Sequence, residues 1–333
     1  RQMCISDSDT PDELRELALT IARLDVACSS AELAHTNQYV RPEIVTDSTL
    51  EIINGRHPVV ESKLQTGEFI ANDCKLGSSA PRIMLLTGPN MAGKSTYLRQ
   101  CALIALLAHA GFYVPAEQAS VPLVDRIYSR VGAQDQIAAG RSTFMVEMSE
   151  TATILNNMSN ESLIIFDEVG RGTATEDGLA IAQAILEHLH NDISPAPLTL
   201  FATHYRELTD VASQFDDASN HSVSVVNHDG NIVFLHKIIE GAEDGSYGVH
   251  VASLAGLPES VVLRAKTILA SLSKLETLEI TSQGSASEAT DDPRGLDREV
   301  IKQLKNLTID QMSPKDALDY LYELKARIND FKL

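Results

Sequence analysis

No run of about eighteen consecutive apolar residues occurs in this 333-residue chain, so no membrane-spanning helix is expected. Basic residues are scarce: 27 Lys and Arg stand against 46 Asp and Glu, a formal net charge of −19 with a pI near 4.9. Gripping a phosphate backbone needs clustered Lys and Arg, so this chain by itself is not expected to be a main nucleic-acid surface, and any such grip lies elsewhere. The four cysteines, Cys4, Cys28, Cys74 and Cys101, include no C-x-x-C pair. That spacing signals neither a zinc site nor a disulfide framework and fits a reducing cytosol. Ten histidines are equally dispersed, and an isolated histidine is more often packed or exposed than a metal ligand. The chain opens RQMCISDSDT, with no signal peptide and no initiator Met, and is expected to be a piece of a longer protein.

What is present is concentrated between Arg82 and Thr96, RIMLLTGPNMAGKST. The apolar run Ile83 to Leu86 predicts a buried strand, and Gly88 and Gly93 bracket a G-x-x-x-x-G-K-S pattern. Glycines let the backbone curl until successive N–H groups face phosphate oxygens, and a helix starting near Lys94 adds the positive end of its dipole. The loop expected to cradle a nucleotide is therefore Gly88, Pro89, Asn90, Met91, Ala92 and Gly93, continued by Lys94, Ser95 and Thr96. Lys94 is suited to neutralise β and γ phosphates. The Ser95 hydroxyl is suited to complete the shell of a Mg²⁺ ion held partly by those phosphates. The plain alternative, a glycine turn before an ordinary helix, is disfavoured by the strand ahead of it.

A second apolar run, LIIF from Leu163 to Phe166, ends in Asp167-Glu168. Acidic residues at the C-terminal end of a buried parallel strand lie in the crevice where such sheets bind ligands. There Asp167 can hold Mg²⁺ through water and Glu168 can polarise an attacking water, the alternative for Glu168 being a structural carboxylate. LTLFATHY, Leu198 to Tyr205, predicts a third buried strand and places His204 beside Asp167. A histidine there can sense a γ-phosphate, or stay a neutral imidazole satisfying a backbone group. Between them GRGTATEDG, Gly170 to Gly178, reads as a turn-rich loop ahead of a helix from Leu179 to His190.

Around this centre, Pro11 to Tyr39 predicts a long connecting helix. From Ile52 to Ile70 β-like runs alternate with turn residues and predict a small sheet leading to the site, with Phe69 either stacked on an adenine face or filling a core. A helix from Thr96 ends at Gly111, and FYVPA reads as a strand entering a turn at Pro115. After a strand from Arg126 to Val131, a polar, glycine-rich stretch leads into a helix with Met145, Met148, Ala152 and Leu155 along one face. Ser142 and Thr143 read as its N-caps, and the spacing to Glu147 is too long for a capping box. SVSVVNHDGNIVFLHKII predicts a hairpin about Asp229-Gly230 that extends the sheet edge. Two helices separated by Gly256-Leu257-Pro258 form a helix-turn-helix shape. Its second half mixes Arg264, Lys266 and Lys274 with an apolar stripe of Val261, Val262, Ile268, Leu269 and Leu272, which suits a protein face better than a phosphate backbone. Thr277 to Asp297 has the composition of a flexible linker, and the helix from Pro314 beyond it is too small to make a core alone, so it is expected to self-associate.

Together GPNMAGKST, GRSTFMVEM, DEVGRGTATEDG and FATHY resemble the ATPase end of the MutS family of DNA mismatch-repair proteins. RHPVVE, FIAND, AGFYVPA and SYGVHVASLAGLP resemble it in the same order, over roughly Arg1 to Glu276 and the tail. The resemblance implies an α/β fold of the P-loop ABC type with a central, mostly parallel sheet, a helix-turn-helix brace and a small helical C-terminal module. The implied division is a clamp or lever end at 1–45, the ATPase domain at 46–240, the brace at 241–276, a linker at 277–297 and an oligomerising tail at 298–333. It implies ATP and Mg²⁺ as ligands: Phe69 on the adenine, Asn90 and His204 reading the γ-phosphate, Ser95 and Asp167 serving the metal, Glu168 the water, and Ser142 reaching across to a partner's nucleotide. The partners implied are a second copy, with tetramers through the tail, mismatched duplex DNA held by parts ahead of residue 1, and a downstream factor of the MutL type. The implied location is cytoplasmic and nucleoid-associated. A MutS-like paralogue in recombination fits the same motifs. A transporter's ATPase subunit would carry a glycine-rich LSGGQ-like stretch where this chain has GRSTFMVEM, and a P-loop kinase would need an acceptor-binding lid that is not visible.

Overall fold

The computed structural model describes residues 11–65, 67–132, 142–228, 231–242 and 247–283. In chain order it runs α1 (Pro11–Thr36), β1 (Glu43–Val45), β2 (Leu50–Gly55), α2 (Pro58–Glu61), β3 (Asn72–Leu76), β4 (Ile83–Thr87), a 3-10 turn (Asn90–Ala92) and α3 (Lys94–His109). There follow β5 (Gln118–Pro122), β6 (Ile127–Val131), α4 (Thr143–Asn157), β7 (Leu163–Asp167), α5 (Thr175–Asn191), β8 (Leu198–Ala202) and α6 (Glu207–Ala212). The last elements are β9 (Ala218–His228), β10 (Asn231–Glu240), α7 (Gly248–Leu254) and α8 (Glu259–Gln283).

Two sheets carry the architecture. The larger is ordered β10-β9-β4-β8-β7-β6, parallel throughout except for the antiparallel edge pair β10 and β9. Every residue of β4, β7 and β8 is buried, because helices cover both faces of the sheet, and such strands read as unbroken apolar runs rather than alternations. Alternation survives in what each residue meets. Met84 and Leu86 join a core with Leu98, Cys101 and Ile104 of α3, whereas Ile83 and Leu85 join a second core with Ile185, Leu186 and Leu189 of α5. The smaller sheet, β1-β5-β2-β3, puts Leu50, Ile52, Cys74 and Leu76 into the α3 core, so the two sheets share one packed layer.

Several local expectations are corrected. Pro58-Val59-Val60-Glu61 is not a β-run but a helical turn: Pro58 stands at its first position and the His57 ring accepts the Val60 N–H at 3.4 Å. Phe112 to Pro115 forms no strand, and Val114 makes one isolated bridge with Val40. The inward face of α4 is Glu147, Thr151 and Ile154, while Met145 is 59% exposed. Met148 and Leu155 are only partly buried against the α5 core, so α4 is rotated from the face that its methionines suggested.

The β9–β10 hairpin forms with Asn231 opposite His228, its turn residues Asp229 and Gly230 lying outside the described residues. The polar stretch at 133–141 and the tail helix from Pro314 also lie outside them. The chain comprises two compact units, Arg1–Val262 and Leu263–Leu333. In the first, Val262 is buried and Val261 exposed; in the second, Leu263, Ile268 and Leu269 are exposed. The helix α8 continues to Gln283, into the stretch whose composition reads as linker. Along α1, Leu14, Leu17, Ile21 and Leu24 are exposed.

Candidate functional site

Register brings the site together. Leu86 on β4 stands opposite Ala202 on β8, and Ala202 stands opposite Asp167 on β7, so the three strands end level. Gly88, Glu168 and Thr203-His204 therefore leave the sheet along one edge, the carboxyl ends where parallel sheets bind ligands.

The first exit is the glycine-bounded loop. Gly88 has φ +129° and Gly93 φ +103°, values that L side chains rarely adopt, which is why both ends of the loop need glycine. Between them Pro89 precedes the 3-10 turn of Asn90, Met91 and Ala92, and Gly93 hands directly into α3. Lys94 is only 1% exposed. Its ammonium folds back to donate to the Gly88 carbonyl and lies 3.4 Å from Glu168 Oε1. Burial pushes its pKa below the usual lysine range, and Glu168 opposes that most strongly.

Asp167 ends β7 at 8% exposure, and its buried Oδ1 has no hydrogen-bond partner among the described residues. Burial pushes its carboxyl up, with the Ser95 hydroxyl the chief opposing influence through a hydrogen bond. An orphaned carboxylate oxygen beside a serine hydroxyl is what a site for a divalent cation leaves when the ion's other ligands are phosphate oxygens and water. Among the described residues no cluster of three or more His, Cys, Asp or Glu could hold a metal ion.

Glu168 has φ +57°, uncommon for a residue with a side chain. Its N–H donates to the Ala202 carbonyl at 2.9 Å, and its carboxylate is held between Lys94 and Arg171, whose Nη1 lies 2.5 Å from Oε2. The His204 ring lies tilted against that of Tyr205, their centroids 4.0 Å apart. Burial pushes its pKa below the ordinary histidine value, which favours the neutral imidazole, and the nearby charges acting on it are those of Glu168, Arg171, Lys94 and Glu207.

Beside the loop lies a cavity of about 220 Å³ walled by Phe69, Met91, Thr96 and His236. Phe69 is half-buried in that wall and does not fill a core. The volume is below the roughly 300 Å³ at which whole-ligand pockets begin, and suits one ring system. His236 has φ +53° and sits in a register shift of β10 between Phe234 and Ile238. Asn72 clamps that bulge: its amide donates to the His236 carbonyl at 2.9 Å, and its oxygen accepts the Ile238 N–H at 2.8 Å. The ring Nδ1 is 2.9 Å from the Ala92 carbonyl, which fixes the imidazole over the loop.

Ser142 stands apart from these contacts. It occupies the N-cap position of α4 as expected, but it is exposed and its hydroxyl makes no capping hydrogen bond.

The model of the MutS domain V family matches residues 84–273, which include the loop, both carboxylates, His204 and His236. The chain belongs to the MutS domain V family. A second family model, the C-terminal region of the DNA mismatch repair protein MutS, matches residues 293–327, outside the described residues. The chain is 48% identical over 313 residues to the DNA mismatch repair protein MutS of Dehalococcoides mccartyi strain CBDB1, covering 94% of this chain and 36% of that protein. It is 49% identical over 341 residues to the MutS of Nitrobacter winogradskyi, covering 95% and 38%, and 46% identical over 344 residues to that of Roseiflexus castenholzii, covering 95% and 32%. It thus spans 32 to 38% of the length of these curated relatives. Membership of the MutS family removes the transporter and kinase alternatives.

In this MutS domain V, sequence reasoning missed four residues that the site's geometry uses. Arg171 and Gly178 lie inside a motif that reads only as a turn-rich loop, and His236 and Glu147 carry no local signal at all. Gly178 marks a close approach: a Cβ there would fall 2.1 Å from both the Gly170 carbonyl oxygen and the Tyr205 hydroxyl. Gly178→Ala is therefore expected to destabilise the fold by about 1–3 kcal/mol, read as a lower denaturation midpoint at unchanged slope. Gly248→Ala, with nothing among the described residues within 4 Å, serves as the control and should stay within about 0.5 kcal/mol of the parent.

Proposed function

We propose that this chain binds Mg²⁺·ATP and hydrolyses it, as the ATPase part of a DNA mismatch-repair protein whose two copies open and close on DNA. The observation that carries the reading is the convergence of Lys94, Ser95, Asp167 and Glu168 at one sheet edge, with the buried Asp167 Oδ1 lacking a hydrogen-bond partner among the described residues. ATP enters with its base between Phe69 and His236 and its phosphates under the N–H groups of Gly88 to Ser95, at the start of α3. Lys94, released from the Gly88 carbonyl and Glu168, meets the β and γ phosphates. Ser95 and, through water, Asp167 would hold Mg²⁺, which when bound neutralises charge on the β and γ oxygens. Glu168, freed of Lys94, accepts a hydrogen bond from the attacking water and draws off its proton as the water oxygen bonds to the γ-phosphorus and the bond from that phosphorus to the β,γ-bridging oxygen breaks, releasing ADP and phosphate. His204, neutral, orients the γ-phosphate, and Asn90 contacts it from the loop.

Dimerisation, the reach of Ser142 to a partner's nucleotide, tetramers through the tail, binding of mismatched duplex DNA by other parts of the protein, an encounter with a MutL-type factor and a cytoplasmic, nucleoid-associated location belong to the same proposal. Its support is the naming of the relatives as mismatch-repair proteins. No described helix is long and apolar enough to cross a membrane.

Calorimetric titration with Mg²⁺·ATP, followed by phosphate release, tests the reading, and absence of both binding and release would defeat it. Phe69→Ala should weaken ATP by roughly 5- to 150-fold, the worth of about 1–3 kcal/mol of base stacking, while leaving tripolyphosphate affinity unchanged. Equal loss for both ligands would remove Phe69 from the base.

A further inference from the structure

Glu147 is 5% exposed on the inward face of α4 and is absorbed by none of the roles above. Its Oε1 accepts the Gly170 N–H at 2.6 Å, and its Oε2 lies 3.5 Å from Arg130 Nη2 on β6. The Gly170 carbonyl in turn accepts the Tyr205 hydroxyl at 3.0 Å, and Tyr205 directly follows His204. Gly170 is thus bonded on both its N–H and its carbonyl by side chains of two other segments.

The backbone between explains why that matters. Glu168 and Gly170 both have left-handed φ, +57° and +89°. A residue with a side chain keeps such a conformation only where its surroundings over-determine it. Here the bond from the Glu168 N–H to Ala202 fixes the turn on one side, and the bond from Gly170 to Glu147 fixes it on the other. The start of α4 is packed on the same loop, since a Cβ on Gly172 would come within 2.9 Å of the Phe144 Cβ.

We infer that Glu147 is a positioning residue for Glu168: it holds the 168–170 turn through the Gly170 N–H, and so makes the angle at which Glu168 leaves the sheet depend on where α4 sits. A shift of α4 driven from its Ser142 end reaches the hydrolytic carboxylate of the same chain along this bond. The inference rests on the proposed role of Glu168 toward water.

The test compares three variants of the protein that carries this chain. Glu147→Ala should lower kcat for ATP by about tenfold or more with KM within about twofold, since small misplacements of a reacting group cost rate rather than binding. Glu147→Gln keeps an oxygen for the Gly170 N–H and should return kcat to within about threefold of the parent, although Arg130 loses one of its two carboxylate partners, keeping Glu150, and the melting midpoint falls. A Gln variant that is folded yet as slow as the Ala variant would assign the effect to charge pairing and overturn the inference. So would a Glu147→Ala variant with parent kcat. Should the Glu147 variants fail to fold, Tyr205→Phe removes only the hydroxyl on the Gly170 carbonyl and is expected to lower kcat about threefold or more at unchanged KM; a parent kcat there rejects the proposal. Glu168→Gln is run alongside. Normal hydrolysis in it removes the reading of Glu168 itself, whereas slow hydrolysis in it together with a parent-like Glu147→Ala removes only the positioning role.

Discussion

Glu168→Gln is expected to leave Mg²⁺·ATP bound while slowing its hydrolysis by roughly 10²- to 10⁴-fold, the usual worth of a positioned acid or base. The substitution keeps the shape of the side chain and removes its charge and basicity. Binding survives because the groups that meet phosphate and metal, Lys94, Ser95 and Asp167, are untouched. It should even tighten, because Lys94 no longer has the Glu168 carboxylate 3.4 Å away as a competitor for the γ-phosphate. Arg171 loses its 2.5 Å partner at the same time, but it lies mostly in solvent, where an ion pair contributes little. Nucleotide affinity by calorimetry and single-turnover hydrolysis by rapid quench separate the two effects. Near-normal hydrolysis would take Glu168 out of water activation and return it to the structural reading.

The second large effect is a restoration. Ser142→Ala and Lys94→Ala are each expected to abolish most ATP hydrolysis, and an equimolar mixture of the two inactive proteins should recover about a quarter of the parent activity, as random assortment of a two-fold dimer predicts. Among the described residues Ser142 has no role within its own chain, since it is exposed and its hydroxyl makes no capping hydrogen bond at the start of α4. The loop of its own chain already has a cation in Lys94, whose ammonium reaches back to Gly88 from the first residue of α3. A helix start with an unused hydroxyl suits an anion that arrives from outside, and the γ-phosphate on a facing copy is the anion the proposal provides. If Ser142 acts on the partner's ATP, a mixed dimer concentrates both defects in one site and leaves the other intact. If it acts in its own chain, every site in the mixture stays impaired and the activity of the mixture equals that of its parents. Sedimentation of each variant with ATP checks that loss of dimerisation is not the cause of silence.

Much of the fold and part of the site were legible in the residues. The strands β4, β7 and β8 follow from IMLL, LIIF and LTLF, because a strand buried on both faces has no choice but an unbroken apolar run. The glycine-bounded loop follows from two glycines at the positions that need positive φ, with Lys94 and Ser95 beside the second. Asp167 and Glu168 follow from being the first polar residues after such a strand. In each case the information lies within a dozen neighbouring residues, and backbone sterics and burial translate it without help from the rest of the chain.

Other features depend on partners far away in sequence. The methionines of α4 suggested one face, yet Glu147 is turned inward by Arg130 and by the Gly170 N–H, a preference that no hydrophobic pattern expresses. Phe69 could be read as core or as a base platform, and only the cavity beside Gly93 and Thr96 put it in a wall. His236 reaches that cavity because Asn72, from the other sheet, holds open a bulge in β10. Sequence by itself determined the α/β class, the loop and the carboxylate pair, since these rest on local backbone geometry and on which runs must be buried. Tertiary structure alone decided which side chains complete the site, because His236, Arg171, Gly178 and Glu147 acquire their places from hydrogen bonds and close approaches that exist only once the strands are in register.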